Sequence, residues 1–334
     1  MIRSNRHTLI RWLLRFLGVV LFFYLVTRLN PDRIREALTR VDVRWILAAF
    51  LLNLPFLVVK AYRWRLILQR MGIAYRFSRA FRVFASGVFW GLATPGRSGD
   101  LVRVFLLQRD QPGTSWQTGF ASIVVDRAFD VIALCFVFGG VIGFKKYGDG
   151  LSFMVFLGIL GAVFWGGVWG TRRFFRFLVH RESKRWLSKR MKPFVKSLEA
   201  IDVHTFIQTG FWTAAAYLFF FIQGLWTAHA MGIVLSFQDV LGSLFGGSLI
   251  ALIPVTVAGL GTRDSLIIVW LQSSLRYEDA LLFSFLTWLV QYAGGAVIGC
   301  VAWMTLPVSD RRRPLFQTTD SDEQADTMEQ NDVD

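Results

Sequence analysis

Apolar residues fill most of positions 12–305, in runs near 12–29, 44–62, 115–142, 150–170, 206–231 and 279–305. A membrane-crossing helix needs about 20 such residues, so the pattern predicts about six full spans. Two further apolar runs are broken. One passes from 83–93 through Ala93-Thr94-Pro95-Gly96-Arg97-Ser98-Gly99-Asp100 into 101–107. The other passes from 240–253 through Pro254-Val255-Thr256-Val257-Ala258-Gly259-Leu260-Gly261-Thr262-Arg263-Asp264 into 265–271. The pieces after the breaks are half-helices, because seven residues rise only about 10 Å against a hydrocarbon core of about 30 Å. Gly/Pro-interrupted segments at matching places in two halves are the sequence mark of a transporter site.

Charge sets the direction of each segment. Residues 60–82 carry Lys60, Arg63, Arg65, Arg70, Arg76, Arg79 and Arg82 with no acid, and 171–205 carry ten cations. Both are placed in the cytoplasm by the positive-inside rule, as is Arg311-Arg312-Arg313. The mixed loop 29–43 then falls outside. An even number of crossings must separate two cytoplasmic segments. Spans 115–142 and 150–170 supply two, so 83–108 enters from the cytoplasm and returns to it. The same parity makes 240–275 enter from outside and return there. The fold class is therefore an all-α polytopic membrane protein with two oppositely oriented re-entrant broken helices, an inverted repeat. Arg3, Arg6, Arg11 and Arg15 precede 16–26, which reads as a retained first span, with no small-residue cleavage site after it. The expected location is a bacterial inner membrane with both termini cytoplasmic. An impermeant thiol reagent, applied to intact cells carrying Gly148→Cys or Ser183→Cys without Cys135 and Cys300, should label position 148 and spare 183. The reverse pattern would invert the topology.

Composition adds two points. The chain of 334 residues is 54% hydrophobic and carries +14 overall. Residues 307–334 hold eight acids against three arginines, leaving +19 on 1–306. The chain thus divides into a transmembrane domain, 1–306, and an acidic cytoplasmic tail, 307–334, whose composition predicts disorder. Its cations flank apolar spans, so the partner is anionic lipid rather than nucleic acid. Cys135 and Cys300 stand singly in apolar runs and suggest neither a disulfide nor a metal. His229 reads as a satisfied polar residue, the many glycines as helix-packing positions, and 171–205 as a basic helix lying on lipid.

Three charged groups remain, and charge at membrane depth defaults to a functional reading. Arg97, Asp100 and Arg103 surround the first break, where Gly96 and Gly99 permit tight backbone after Pro95. A half-helix beginning near Asp100 offers free N–H groups, and the Arg97 fork suits phosphate. The alternative is a structural Arg97–Asp100 ion pair. Arg263 and Asp264 follow Gly259 and Gly261, with Thr262 as a candidate N-cap. They would hold a head group on the outer side, or pair across to the first hairpin. Asp126 and Asp130, at i and i+4 around Arg127, share a helix face, and only fourteen apolar residues follow at 131–144. They either line a cavity near the first hairpin or cap their helix at the head groups. No ATP-binding loop and no nucleophile–base pair accompanies them, so neither an enzyme nor a cofactor is expected.

Thr94-Pro95-Gly96-Arg97-Ser98-Gly99-Asp100-Leu101-Val102-Arg103, Asp126-Arg127-Ala128-Phe129-Asp130 and Gly259-Leu260-Gly261-Thr262-Arg263-Asp264 occur in the order seen in one family. They resemble the membrane region of the lysylphosphatidylglycerol synthase/flippase proteins over about residues 5–306. That family generally has P-G-(R/K)-x-G-E, E-R-x-x-D and G-G-L-G-x-R-E; here Asp100, Asp126 and Asp264 stand where glutamate is usual. The resemblance implies a lipid-translocating fold. Lysyl-lipid synthesis is not expected, because an acidic tail stands where two-part members of the family carry a soluble aminoacyltransferase domain. The expected activity is movement of an anionic or zwitterionic phospholipid, or a lipid-linked precursor, between leaflets. The competing readings are a membrane-embedded lipid-modifying transferase and a scaffold for a partner glycosyl- or aminoacyl-transferase.

Overall fold

The computed structural model describes residues 24–25, 27–28, 30–94, 99–147, 185–252 and 259–306. Pro95, Gly96 and Arg97, the run 150–170, most of 12–29 and the tail lie outside these residues. So do Gly148 and Ser183. Every described element is helical: α1 Pro31–Thr39, α2 Val43–Leu51, α3 Asn53–Arg70, α4 Phe77–Ala93, α5 Val102–Asp110 and α6 Trp116–Tyr147. There follow α7 Arg185–Glu199, α8 Val203–Ala230, α9 Phe237–Ile250, α10 Thr262–Leu271 and α11 Tyr277–Trp288. A π-helical turn, Leu289–Ala293, then leads into α12 Gly294–Met304. Among the described residues, four stretches are long and apolar enough to cross a membrane: Val43–Arg70, Trp116–Lys145, Val203–Ala230 and Tyr277–Met304.

The structure reveals a duplication. Helices begin at Val43 and Val203, at Phe77 and Phe237, and at Val102 and Thr262, each pair 160 residues apart. The offset becomes 161 at Trp116 and Tyr277. Asp42 and Asp202 cap equivalent helices, accepting from Arg44 N and Thr205 N. The Thr205 hydroxyl and N–H hold the Asp202 carboxyl below the usual carboxylate range. Both long helices end on Met-Gly-Ile, with Gly72 at φ 82° and Gly232 at φ 65°. In each turn the Ile N–H reaches back to the helix, Ile73 to Leu68 O and Ile233 to Ala228 O, and only glycine takes the intervening left-handed position without strain.

The two halves run in opposite directions. Along α2–α3 and α8, Trp45 meets His229, Ala49 O accepts from Gln223, and Tyr62 meets Trp212. One index rises as the other falls, so equivalent helices are antiparallel. Contacts are also exchanged reciprocally. α4 packs on α12, and α9 packs on α6. A Cβ on Gly299 would strike Ala85 O and Phe89, and one on Gly246 would strike Phe138. Gly246 is the counterpart of Ser86, and Gly299 that of Phe138. Contacts that swap in this way belong to a two-fold arrangement, so the two hairpins, α4–α5 and α9–α10, point oppositely. Glycine serves both crossings because backbones approach closely there.

One boundary differs from the apolar pattern. The second run was expected to end near residue 62, with 60–82 wholly cytoplasmic. Instead α3 continues to Arg70, and Lys60 and Arg63 turn inward, with 7% and 0% exposure. Pro55, in the first turn of α3, accounts for the interruption at Leu52, and Asn53 bridges it by donating to Phe50 O (2.9 Å) and Val290 O (2.8 Å).

Candidate functional site

Three helices of the first half bring seven charges together. α6 supplies Asp126, Arg127 and Asp130; α3 supplies Lys60 and Arg63, one turn apart; α5 supplies Arg103, and the turn before it Asp100. Arg63 lies at the centre. Its Nε and Nη2 donate to Asp126 Oδ1 at 3.0 and 2.6 Å, and its Nη1 donates to Asp130 Oδ1 at 2.8 Å. Nη1 also reaches Thr213 Oγ1 of α8, and Nη2 the Asp126 carbonyl. Asp126 Oδ2 accepts from Arg103 Nη1 at 3.0 Å, and Asp130 Oδ1 from Lys60 Nζ at 2.8 Å. Arg127 spans Asp130 (3.3 Å) and Asp100 (2.8 Å). Burying so much charge is tolerable only because each ion faces an opposite one with a hydrogen bond.

Aromatic faces complete the shell. The Arg103 guanidinium lies 4.3 Å from the Trp64 ring centre and 4.4 Å from that of Phe84. Its Nε and Nη2 have no hydrogen-bond partner among the described residues; ring faces offer such N–H groups an electrostatic substitute. The Lys60 ammonium lies over Phe56 and Tyr217 at 5.2 and 5.1 Å.

A cavity of about 110 Å³ opens beside this cluster, between the two halves. Lys60, Asp100, Arg127 and Asp130 form its charged wall, and Ser248, Gln291 and Tyr292 belong to the opposite half. Gln291 and Tyr292 sit in the π-helical turn, a kind of interruption frequent at functional sites. The remaining wall is apolar, including Phe56, Leu134 and Phe220. Such a volume admits several waters, each needing roughly 10–15 Å³ on this measure.

Of the predicted site residues, Asp100, Arg103, Asp126, Arg127 and Asp130 thus come together, and Asp100, Arg127 and Asp130 line the cavity. Asp100 pairs with Arg127; Arg97 lies outside the described residues. Gly99 packs against the Trp90 backbone, with no room for a Cβ.

Arg263 and Asp264 form a separate, fully buried group. Gly261, at φ 84°, takes the N-cap position expected of Thr262, and Asp264 Oδ2 accepts its N–H at 2.8 Å. Arg263 donates to Ser284 O (3.0 Å) and Thr287 Oγ1 (2.8 Å), under the Tyr292 ring. Asp264 also accepts from Ser284 Oγ at 2.5 Å. Neither residue lines the cavity, and neither pairs with the first hairpin among the described residues. Gly259, at φ 81°, abuts Ala251 and gives the hairpin its return.

Sequence reading missed Lys60 and Arg63. The signal available was a basic pair at i, i+3 with no local acid, matched to an acidic pair at i, i+4 elsewhere. No His/Cys/Asp/Glu group among the described residues could hold a metal. At the foot of the first hairpin, Asp110 joins Arg79 (2.5 Å) and Tyr75; burial, then this carboxylate, push the Tyr75 phenol up.

Residues 12–299 match the model of the family described as lysylphosphatidylglycerol synthase TM region. Curated relatives include a UPF0104 membrane protein of Pyrococcus horikoshii, 29% identical over 124 residues, 36% of this chain and 37% of that protein. Another, from Methanothermobacter thermautotrophicus, is 32% identical over 138 residues, 41% of this chain and 38% of the relative. The matched segments therefore span less than two fifths of these relatives' length.

Proposed function

This chain belongs to the lysylphosphatidylglycerol synthase TM region family, and from that premise we propose that it moves a phospholipid or lipid-linked head group between leaflets of a bacterial inner membrane, with both termini cytoplasmic. One observation carries the reading. A cavity with a charged wall lies between two oppositely directed broken helices, each too short to cross a bilayer alone. Helices long enough to span flank it.

Irregular backbone at membrane depth is tolerated where it is buried in protein or lines a water-filled cavity. A head group leaving water needs partners throughout a low-dielectric passage. Arg127 and Lys60 offer cations to a phosphate, and Asp100 and Asp130 offer acceptors to ammonium or hydroxyl groups. The acyl tails would stay in lipid while the head group crosses. No bond is made or broken, so the reading needs neither a cofactor nor a catalytic base.

The test is scrambling of tail-labelled phospholipids by the purified full chain in proteoliposomes. An exchange rate well above that of protein-free vesicles is expected for at least one native phospholipid. A panel of anionic and zwitterionic lipids that all remain in their original leaflet would refute it.

A further inference from the structure

The duplication supplies an internal control on the charged cluster. Counterparts meet in both halves. Arg103 donates to Asp126, and its counterpart Arg263 donates to Thr287. Lys60 donates to Asp130, and their counterparts meet through Gln291 Nε2 to Phe220 O at 3.1 Å. Arg63 corresponds to Gln223, Arg127 to Trp288, and Asp100 to Leu260. Apart from Arg263, the same scaffold is therefore completed in the second half with amide, hydroxyl and apolar groups. Folding alone does not require the first half's charges.

Those charges are also unequal. Among the described residues, four cations, Lys60, Arg63, Arg103 and Arg127, face three anions, Asp100, Asp126 and Asp130. Two aromatic faces lie over the Lys60 nitrogen, and such faces attract a cation. One positive charge is thus left over in a buried setting, and its carrier opens into the cavity. Across the cavity, Gln291 Oε1 is 7% exposed as a residue and has no hydrogen-bond partner among the described residues. It is placed to accept from a hydroxyl or ammonium.

We propose that the cavity is a site for a phosphodiester monoanion bearing a hydroxylated head group, with Lys60 and Arg127 on the phosphate and Gln291 on the head. The single negative charge completes the cluster. A zwitterionic lipid satisfies the cations only by bringing a further cation beside Arg127, and a cationic lipid leaves the excess uncancelled. This proposal rests on the translocation reading for its lipid, and on the charge count for its selectivity.

Native mass spectrometry of the purified full chain tests it with four probes: phosphatidylglycerol, phosphatidylethanolamine, a cationic ethylphosphocholine lipid and water-soluble glycerophosphoglycerol. Phosphatidylglycerol is expected to bind about tenfold or more tightly than phosphatidylethanolamine, the size of one charge-assisted hydrogen bond. The cationic lipid should bind last. Glycerophosphoglycerol competing as well as phosphatidylglycerol would identify a free phosphodiester as the ligand and overturn the lipid assignment. Lys60→Met, which balances the cluster at three against three, should cut the preference to about twofold or less. The variant should fold, because phenylalanine occupies the counterpart position. Wild-type protein indifferent to head-group charge, or Lys60→Met protein that keeps the preference, overturns the inference. Selective binding without scrambling would instead sink the translocation reading and leave this site standing.

Discussion

Replacing Arg63 by alanine is expected to leave little folded protein. No other described side chain ties both acids of α6 to α3 and α8. Without it, Asp126 keeps only Arg103, and Asp130 keeps Lys60 and Arg127. Removing one partner from a buried ion network typically costs about 3–5 kcal/mol. Lysine should recover only part of this, since one ammonium cannot reproduce the fork that grips Asp126 twice. The informative rescue copies the other half: Lys60→Phe, Arg63→Gln, Asp126→Thr and Asp130→Gln together should restore extraction as a monodisperse species. Size-exclusion profiles and thermal melting in detergent read the outcome. An Arg63→Ala protein that extracts and melts like wild type would show that the network is dispensable.

Arg127→Ala is expected to stop lipid movement in a protein that still folds. Its side chain is 25% exposed, whereas those of Arg63 and Arg103 are at most 1%, so water can relieve the groups it leaves. Its loss removes a charge-assisted contact to phosphate, about 1.5–3 kcal/mol, or roughly ten- to a hundredfold in rate. Lysine should restore part of the rate. Exchanging the pair, Arg127→Asp with Asp100→Arg, keeps an ion pair while displacing the cation from the α6 wall. A purely structural pair survives the exchange; a head-group contact does not. Scrambling in proteoliposomes, set against melting temperature, separates the two. Full scrambling by Arg127→Ala protein would remove Arg127 from the path.

The two broken helices are legible in the sequence because proline and charge are scarce inside apolar runs and, where they stand together with glycine, mark their own exceptions. Asp126 and Asp130 are legible because fourteen apolar residues cannot carry them out of the bilayer. Lys60 and Arg63 are not, since a cation ending an apolar run looks the same whether it reaches lipid head groups or an acid on another helix. That distinction lives in tertiary packing. Arg263 looked equivalent to the arginines of the first hairpin, yet its partners are a carbonyl and a threonine hydroxyl supplied by α11, which no local pattern announces. The duplication is written in the chain, but mainly as Met-Gly-Ile turns and helix lengths. Side-chain identities around the cavity have diverged to opposite polarity.

The constant 160-residue register has a consequence for how the chain tolerates changes in length. From Val43 to Asp110 the helix starts keep step with those of the second half. The antiparallel seam between α2–α3 and α8 and the close glycine crossings depend on that step. An added or deleted residue there would rotate one half of the seam by about 100° against the other, at 3.6 residues per turn. The offset changes only past the starts of α5 and α10, where α10 is one residue longer than α5 and the turns that follow, 111–115 and 272–276, are equal in length. The two halves already differ by one residue at that place, so the end of this helix and the turn after it are where further insertions belong.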